Sequence, residues 1–255
     1  MVMLDGQGRR EVTAADLRKA APLSFWSEAA LERLAAASTL GWHDADAVLA
    51  RAHEPATEMW IVVEGCLEAA MFTADGERYL ADLMTPPQVV GLVPVIDDRG
   101  VLFDTIVRVR SLLIRVPAAA MRAEMDADPA IVRGMLGLIC FRARMEHDRS
   151  MINVVDSHSA RVAKAITYLG RRAQLLDGAE TPVPAPVTYE DISDFLGLSQ
   201  SAVVRVVRDL IAARAVKKQY RGLIIADPAA LMRFVEAVSP IHANARAYLA
   251  LLPRG

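Results

Sequence analysis

The sequence has only two cysteines, Cys66 and Cys140, in 255 residues, and it has no long apolar run. Two cysteines cannot build a disulfide framework. No stretch approaches the roughly 18 apolar residues that a membrane span requires, and the first residues are too polar for the apolar core of a secretory signal peptide. These absences predict a cytoplasmic protein with no membrane association.

An excess of charge of one sign is also absent, because 29 basic and 31 acidic residues leave a net charge of −2. A protein coated in basic charge is therefore excluded. Hydrophobic residues make up 53% of the chain, which is enough to bury substantial cores and argues against disorder. A chain of this length has room for about two domains.

Sequence motifs for catalysis and for cofactor binding are missing as well. The chain has no P-loop, Rossmann glycine pattern or nucleophile elbow. Its five histidines form no HxxxH or HxH pair, so no metal site is predicted. Two cysteines are fewer than the four thiolates of an oxygen-sensing iron–sulfur cluster. We predict that the protein is not an enzyme and holds no metal or cluster. Axial ligation of haem by a single histidine stays an open alternative.

The stretch EDISDFLGLSQSAVVRVVRDL, residues 190–210, carries the strongest positive signal. Its apolar residues are spaced for one face of a short helix before Gly197 and one face of a second helix after it. Two short helices joined by a tight turn that contains glycine form a helix-turn-helix, whose second helix can enter the DNA major groove. The charges agree with this prediction, since acidic residues precede the turn and Arg205 and Arg208 follow it.

Basic residues are concentrated just beyond this turn. Between Ser199 and Gly222 the sequence has six basic residues and one acidic residue, so the rest of the chain is acidic. A confined basic patch is typical of a local nucleic-acid contact. The segment AVKKQYRGLIIAD then predicts a short hairpin, or wing, which would bring Lys217, Lys218 and Arg221 to the DNA backbone.

The N-terminal half is rich in short β-type runs. The runs EMWIVVEGCLEAAMF and RYLADLM flank a predicted hairpin turn at Asp75 and Gly76. The runs VVGLVPVI and FDTIVRVRSLLIRVP continue the strand pattern, with breakers at Pro94 and Gly100, and a helix capped by Ser27 precedes all four. Many short strands at near-regular spacing predict a β-barrel or jelly roll.

A long helix is predicted after the strands, over residues 128–155. Asp128 supplies a cap, and Pro129 suits the first turn. The helix is longer than an ordinary globular helix and carries an apolar stripe, which predicts pairing with the same helix of a second chain. Packing along its own barrel is the alternative. The predicted dimer interface consists of Ile131, Met135, Leu138, Met145 and Ile152.

These parts divide the chain into a β-barrel domain at 1–127, a dimerisation helix at 128–155 and a winged helix-turn-helix domain at 156–255 that ends in a helical extension. This order resembles the Crp/Fnr superfamily of bacterial transcription regulators, and the segment at 188–227 is similar to the winged helix of that family. The resemblance implies an α+β fold with an N-terminal jelly-roll barrel of the sensor type. It also implies a homodimer that binds an inverted-repeat site in double-stranded DNA and regulates RNA polymerase.

By this resemblance, the base-reading positions of the family fall on Gln200, Ser201 and Arg205. An arginine can pair with the two acceptors of a guanine, and a glutamine can read adenine or contact a phosphate. Ser201 departs from the glutamate that many relatives carry, so the familiar half-site of the family is not assumed. Contacts with the DNA backbone are assigned to Ser199, Arg208, Lys217, Lys218 and Arg221.

The sensor region departs further from the family pattern. Relatives that bind cyclic nucleotides resemble Gly-Glu-Leu followed by an Arg-Ser or Arg-Ala pair, in which the glutamate meets the ribose and the arginine meets the cyclic phosphate. Here Leu92 replaces the glutamate, and no arginine falls at 102–104. The one remaining candidate for a phosphate ligand is Arg99, which is out of register with the family position. We therefore predict no binding of cyclic AMP. The corresponding effector-pocket positions are Gly91, Leu92, Phe103, Glu146 and His147.

The alternative function is a ligand-binding or adaptor module whose winged helix docks a protein partner. The basic patch on the second helix and the wing favours the DNA-binding regulator instead. Binding to random-sequence DNA distinguishes the two functions.

Overall fold

The computed structural model describes residues 9–20, 26–86, 88–155, 157–171, 187–219 and 222–234. They form two compact units. The first unit holds the described residues up to Met71 and from Leu83 to Cys140, and the second holds Phe72–Asp82 and those from Phe141 onward. Because this division falls inside one helix, the domain boundaries after residues 127 and 155 stay predictions.

A seven-stranded sheet lies mainly in the first unit. Its strands in the described part of the chain are β1 (Arg9–Glu11), β2 (Thr39–His43), β3 (Val48–Ala50), β4 (Glu58–Phe72), β5 (Arg78–Met84), β6 (Gln88–Val90) and β7 (Asp104–Pro117). Most of β5 belongs to the second unit. The main path runs in the order β1-β2-β7-β4-β5, while β3 also pairs with β7 and β6 with β4. Such non-sequential neighbours are the pattern expected of a jelly-roll type of barrel rather than of a simple meander.

The long strands β4 and β7 form the centre of this sheet. They pair antiparallel from Glu58 opposite Pro117 to Ala70 opposite Asp104. Both are rich in β-branched and large apolar residues, which fit a pleated and largely buried surface. Side chains from both strands are fully buried, among them Met59, Ile61, Leu67, Leu113 and Ile114. The predicted strands in FDTIVRVRSLLIRVP and EMWIVVEGCLEAAMF are confirmed.

Three short helices belong to the N-terminal part of the chain. They are α1 (Ala14–Ala20), α2 (Glu28–Ala37) and α3 (Leu92–Asp97). The predicted cap of α2 is confirmed, because the Ser27 hydroxyl accepts the Ala30 N–H at 3.2 Å. The predicted turn between β4 and β5 is also present, with Gly76 at a φ of 82°.

The sequence prediction for VVGLVPVI is wrong in its second half. Only Gln88–Val90 is a strand, and Leu92–Asp97 is the helix α3. Pro94 is the third residue of that helix, where its missing N–H would have no intrahelical partner in any case. A proline there interrupts a strand but is compatible with a first helical turn, which is why the apolar run changes structure at Gly91.

Two helices follow β7, namely α4 (Ala118–Ala127) and α5 (Pro129–Val155). The predicted start of α5 is confirmed, since it begins at Pro129 and the Asp128 carboxylate accepts the Ala130 N–H at 2.8 Å. The sequence did not predict α4. A bidentate ion pair ties α4 to α2, because the Arg33 guanidinium donates to both oxygens of Glu124 at 2.7 and 2.6 Å.

Part of the predicted dimer interface on α5 is buried in the core of the single chain. Ile131, Met135 and Leu138 are exposed to only 0, 1 and 6% within the single chain, so they cannot also supply an accessible interface. The side chains of Met145 and Ile152 lie outside the described part. The neighbouring face is the accessible one, because Leu136 is 48% exposed. The predicted interface therefore has the wrong phase at these three positions.

From His158 onward, the described part of the second unit contains four helices and two strands. Its elements are α6 (His158–Arg171), α7 (Tyr189–Leu196), α8 (Gln200–Ala212), β8 (Val216–Gln219), β9 (Gly222–Ile225) and α9 (Pro228–Met232). The predicted C-terminal helical extension beyond residue 234 lies outside the described residues. Within the described segments, no helix is both long and apolar enough to cross a membrane.

Candidate nucleic-acid interface

The first helix of the predicted motif, α7, is fixed at both ends by its own sequence. At the N-terminus a capping box forms, because the Thr188 hydroxyl accepts the Asp191 N–H and the Asp191 carboxylate accepts the Thr188 N–H. At the C-terminus Gly197 has a φ of 61° in the left-handed region, where glycine carries no Cβ penalty. The chain therefore turns sharply after Leu196.

The second helix, α8, starts at Gln200, three residues after this glycine. The Ser199 hydroxyl accepts the Ala202 N–H and caps the helix. One face of α8 is buried and consists of Ala202, Val203, Val206, Val207 and Leu210. The opposite face consists of exposed, mainly polar side chains. The two helices and their turn are the helix-turn-helix that the sequence predicted.

The helix α6 supports this motif from behind, and it packs against both α7 and α8. Tyr168 stacks on Phe195 with ring centroids 5.5 Å apart. The Arg161 guanidinium donates to the Leu196 carbonyl at 2.9 Å and so satisfies an acceptor at the end of α7. These contacts hold α7 against α6.

The predicted wing is present as the antiparallel pair of β8 and β9. It is attached to the start of α7, because the Leu223 N–H donates to the Val187 carbonyl at 2.9 Å. Lys217 and Lys218 are exposed on β8, and the Lys218 ammonium lies 5.9 Å from the centre of the Tyr189 ring.

Most of the predicted DNA-contacting residues are exposed in the structure. All three predicted base-reading residues are exposed on the first two turns of α8, and Arg208 follows one turn later. Ser199 is exposed but its hydroxyl is already engaged in the helix cap. Arg221 lies outside the described residues. We refer to the exposed side chains Gln200, Ser201, Val204, Arg205 and Arg208 as the recognition face.

Sequence reasoning missed an ion-pair cluster on α7. Arg78, from the hairpin segment that belongs to the second unit, donates its Nε to Asp194 at 2.7 Å and an Nη to Asp191 at 2.9 Å. The Asp191 side chain is 0% exposed and that of Arg78 only 15%. The partners are more than a hundred positions apart in the sequence, so no local pattern could indicate the contact.

Two family models match the chain in the order that this architecture requires. A model described as a cyclic nucleotide-binding domain matches residues 42–128, and a model described as a Crp-like helix-turn-helix domain matches residues 160–234. The chain belongs to the Crp/Fnr superfamily. It is a Crp-like transcriptional regulator with a helix-turn-helix DNA-binding domain, and the predicted α+β fold with an N-terminal barrel is confirmed.

Relatives and solved structures of the superfamily agree with this assignment. The chain is 23% identical over 182 residues to the CRP-like cAMP-activated global transcriptional regulator of Mycobacterium tuberculosis, which covers 71% of this chain and 80% of the relative. Its fold is similar to FixK2 from Bradyrhizobium japonicum, with a TM-score of 0.68 at 19% identity, covering 79% of this chain and 98% of that one. The c-di-GMP responsive regulator CLP of Xanthomonas campestris gives 0.60 at 14% identity, covering 79% and 100%. The Mycobacterium tuberculosis relative is by its description a transcriptional regulator rather than an enzyme.

The barrel residues predicted to line an effector pocket are placed as follows. Gly91 has a φ of 85° and precedes α3, and a Cβ there would come within 3.1 Å of the Glu58 carbonyl. Leu92 is buried at 3% exposure, whereas Phe103 is half-buried. Glu146 and His147 are exposed on α5. Leu92 therefore contributes a buried apolar side chain to the barrel.

Proposed function

We propose that this regulator is a homodimer that binds an inverted-repeat DNA site without cyclic AMP and acts on RNA polymerase in the cytoplasm. The observation that carries the proposal is the recognition face, on which polar and basic side chains of α8 are exposed beside the wing lysines. A basic helix and wing of this kind suit the phosphates and base edges of a major groove.

Base reading is assigned to Gln200, Ser201 and Arg205. Arg205 suits the two acceptors of a guanine, and Gln200 suits an adenine, whereas the Ser201 hydroxyl discriminates weakly between bases. Phosphate contacts are assigned to Arg208, Lys217 and Lys218, with Ser199 and Arg221. Exposure and position on α8 and β8 support the assignment for Gln200, Ser201, Arg205, Arg208, Lys217 and Lys218.

The dimer interface is assigned to the accessible face of α5. Four apolar side chains there are wholly or partly exposed at a spacing of four, three and four residues, which is the spacing of a coiled-coil seam. We call them the α5 seam: Val132, Leu136, Ile139 and Ala143. This replaces the buried stripe and keeps the homodimer.

Independence from cyclic AMP is supported by the charges of the barrel. A cyclic phosphate buried without a cation costs several kcal/mol. The arginines along β7 already pair with carboxylates: Arg108 with Glu68, Arg110 with Asp44 and Arg115 with Glu58. The Asp104 carboxylate, which accepts the Ala52 N–H at 2.7 Å, would also repel a phosphate. Without differential affinity for the DNA-binding state, the nucleotide could not shift the population toward that state.

The test is a selection of bound fragments from a random DNA library by the full chain, followed by titration of the selected site with and without cyclic AMP. We expect an inverted-repeat consensus and an affinity that cyclic AMP leaves unchanged. Tighter DNA binding on addition of micromolar cyclic AMP would contradict the independence and return attention to Arg99. Failure to select any DNA would favour the alternative, a protein-docking adaptor.

A further inference from the structure

Val204 is an apolar side chain on the recognition face. Its side chain is 41% exposed, while Val203 and Val207 on the other side of α8 are 0% exposed. Seven large apolar side chains are exposed in the described part of the chain, and Val204 is the one that lies on α8. Valine is a poorer helix former than alanine because its branched side chain loses rotamer freedom. Neither core packing nor helix stability therefore accounts for a valine at this position.

The neighbours of Val204 are groups that can form hydrogen bonds. On a helix, residues three and four positions apart lie side by side. Val204 is accordingly next to Gln200 and Ser201 on the preceding turn and next to Arg208 on the following one, and all three are exposed. An apolar group in the middle of such a face has one apolar counterpart on the major-groove edges of the bases, namely the C5 methyl of thymine.

We propose that Val204 is a base-reading residue that contacts a thymine methyl group in each half-site. The inference rests on the proposed function and adds a position to the base-reading set that was assigned from family resemblance. The Ser201 hydroxyl can pair with several bases and so leaves its base pair weakly specified. A contact of Val204 with a thymine methyl group would add sequence specificity next to that position.

The expected loss of affinity follows from the free energy of burying one methyl group away from water. A buried carbon contributes about 0.8 kcal/mol, which corresponds to about a fourfold change in affinity for each half-site. A symmetric site with two half-sites should then lose about fifteenfold when both methyl groups are removed.

The experiment uses the full chain and its own selected site, with each thymine replaced in turn by uracil. Uracil lacks only the methyl group, so the hydrogen-bonding edges of the base pair are unchanged. We expect one thymine per half-site to show the fourfold loss with the wild-type protein. Val204→Ala removes both γ-methyl groups and should bind thymine and uracil forms of that site almost equally, while Val204→Thr keeps one γ-methyl group and should retain the difference.

A matched control is available in the barrel. Val48 is exposed to 43%, similar to Val204, but lies on β3, so Val48→Ala should leave the uracil effect unchanged. If no thymine is sensitive, or if Val204→Ala shows the same loss as the wild type, the inference is overturned while DNA binding stands. If no DNA is selected at all, both the proposed function and the inference about Val204 are overturned.

Discussion

Two adjacent residues on α5 should respond in opposite ways to truncation. Leu136 is 48% exposed and Met135 is 1% exposed in the single chain. We therefore expect Leu136→Ala to weaken the dimer without destabilising the protomer, and Met135→Ala to destabilise the protomer without a direct effect on the interface. The pair tests the α5 seam against the stripe of apolar residues that the sequence first suggested.

The magnitudes follow from these exposures. Full burial of a leucine contributes about 1.5–3 kcal/mol, so the exposed half of Leu136 accounts for about 1 kcal/mol in each protomer. Two copies meet in a dimer, so Leu136→Ala should raise the dimer dissociation constant by about thirtyfold. Met135→Ala leaves a cavity in a packed site and should lower the free energy of unfolding by about 2–5 kcal/mol.

Sedimentation velocity over a range of protein concentrations measures the dissociation constant, and urea unfolding at two concentrations measures the stability. Two concentrations are needed because dimerisation itself stabilises the folded chain by mass action. Alanine is the better helix former at an exposed position, so Leu136→Ala has no intrinsic cost to the helix. A dimer that is weakened by Met135→Ala but not by Leu136→Ala would refute the proposed seam.

Three further predictions concern the recognition face and the ion pairs. Arg205→Ala should weaken binding to the selected site by about 1–3 kcal/mol and reduce the preference for one base at the contacted position. Lys217→Ala should weaken binding to every sequence and lower the dependence of log affinity on log salt concentration by about one unit. Fluorescence anisotropy at several salt concentrations measures both effects. Arg78→Ala leaves two largely buried carboxylates on α7 without their cation, and should lower the free energy of unfolding by about 3 kcal/mol in urea titrations. A hydrogen bond from Arg10 holds the pKa of the Asp16 carboxyl well below its usual range. The stability lost in Asp16→Asn should therefore be largest above about pH 4 and should shrink as the wild-type protein is acidified.

Each of these has an outcome that would contradict it. Equal losses on selected and scrambled DNA for Arg205→Ala would show that base reading was assigned to the wrong residue. An unchanged urea midpoint for Arg78→Ala would mean that the buried ion pair is energetically neutral. A stability difference for Asp16→Asn that does not depend on pH would mean that the lowered pKa is not the source of the stabilisation.

The helix-turn-helix could be predicted from sequence because its determinants are local. Gly197, the apolar spacing around it and the cap at Ser199 all lie within a short stretch, and each acts through contacts a few residues apart. The same holds for the hairpin turn at Gly76. In both places the pattern in the sequence and the tertiary structure require the same conformation.

The phase of α5 could not be predicted because its sequence is apolar on more than one face. Ile131, Met135 and Leu138 fit a helical stripe, and so do Val132 and Leu136 one position later. Periodicity alone cannot tell which stripe the chain covers with its own core. Burial in the folded chain separates them, because packing against other elements fixes one side of the helix.

The switch from strand to helix at Gly91 had a local signal that was given the wrong weight. Pro94 was interpreted as a strand breaker, but a proline is equally possible in the first turn of a helix, because an N–H there has no partner within the helix. The contact of Arg78 with α7 had no local signal, because its partners come from a distant part of the chain.

The side chain of Asp191 serves two neighbours at once, since one oxygen closes the cap of α7 and the other accepts from Arg78. These two contacts restrict which residues can replace Asp191. Asparagine could keep one acceptor but would turn an amide N–H toward a neighbour that is itself a donor, and alanine would lose both contacts. Neither exchange preserves both interactions, so a tolerated neutral replacement should appear together with a second change at residue 78. A saturation library that varies both positions would recover viable pairs that libraries of either position alone do not contain.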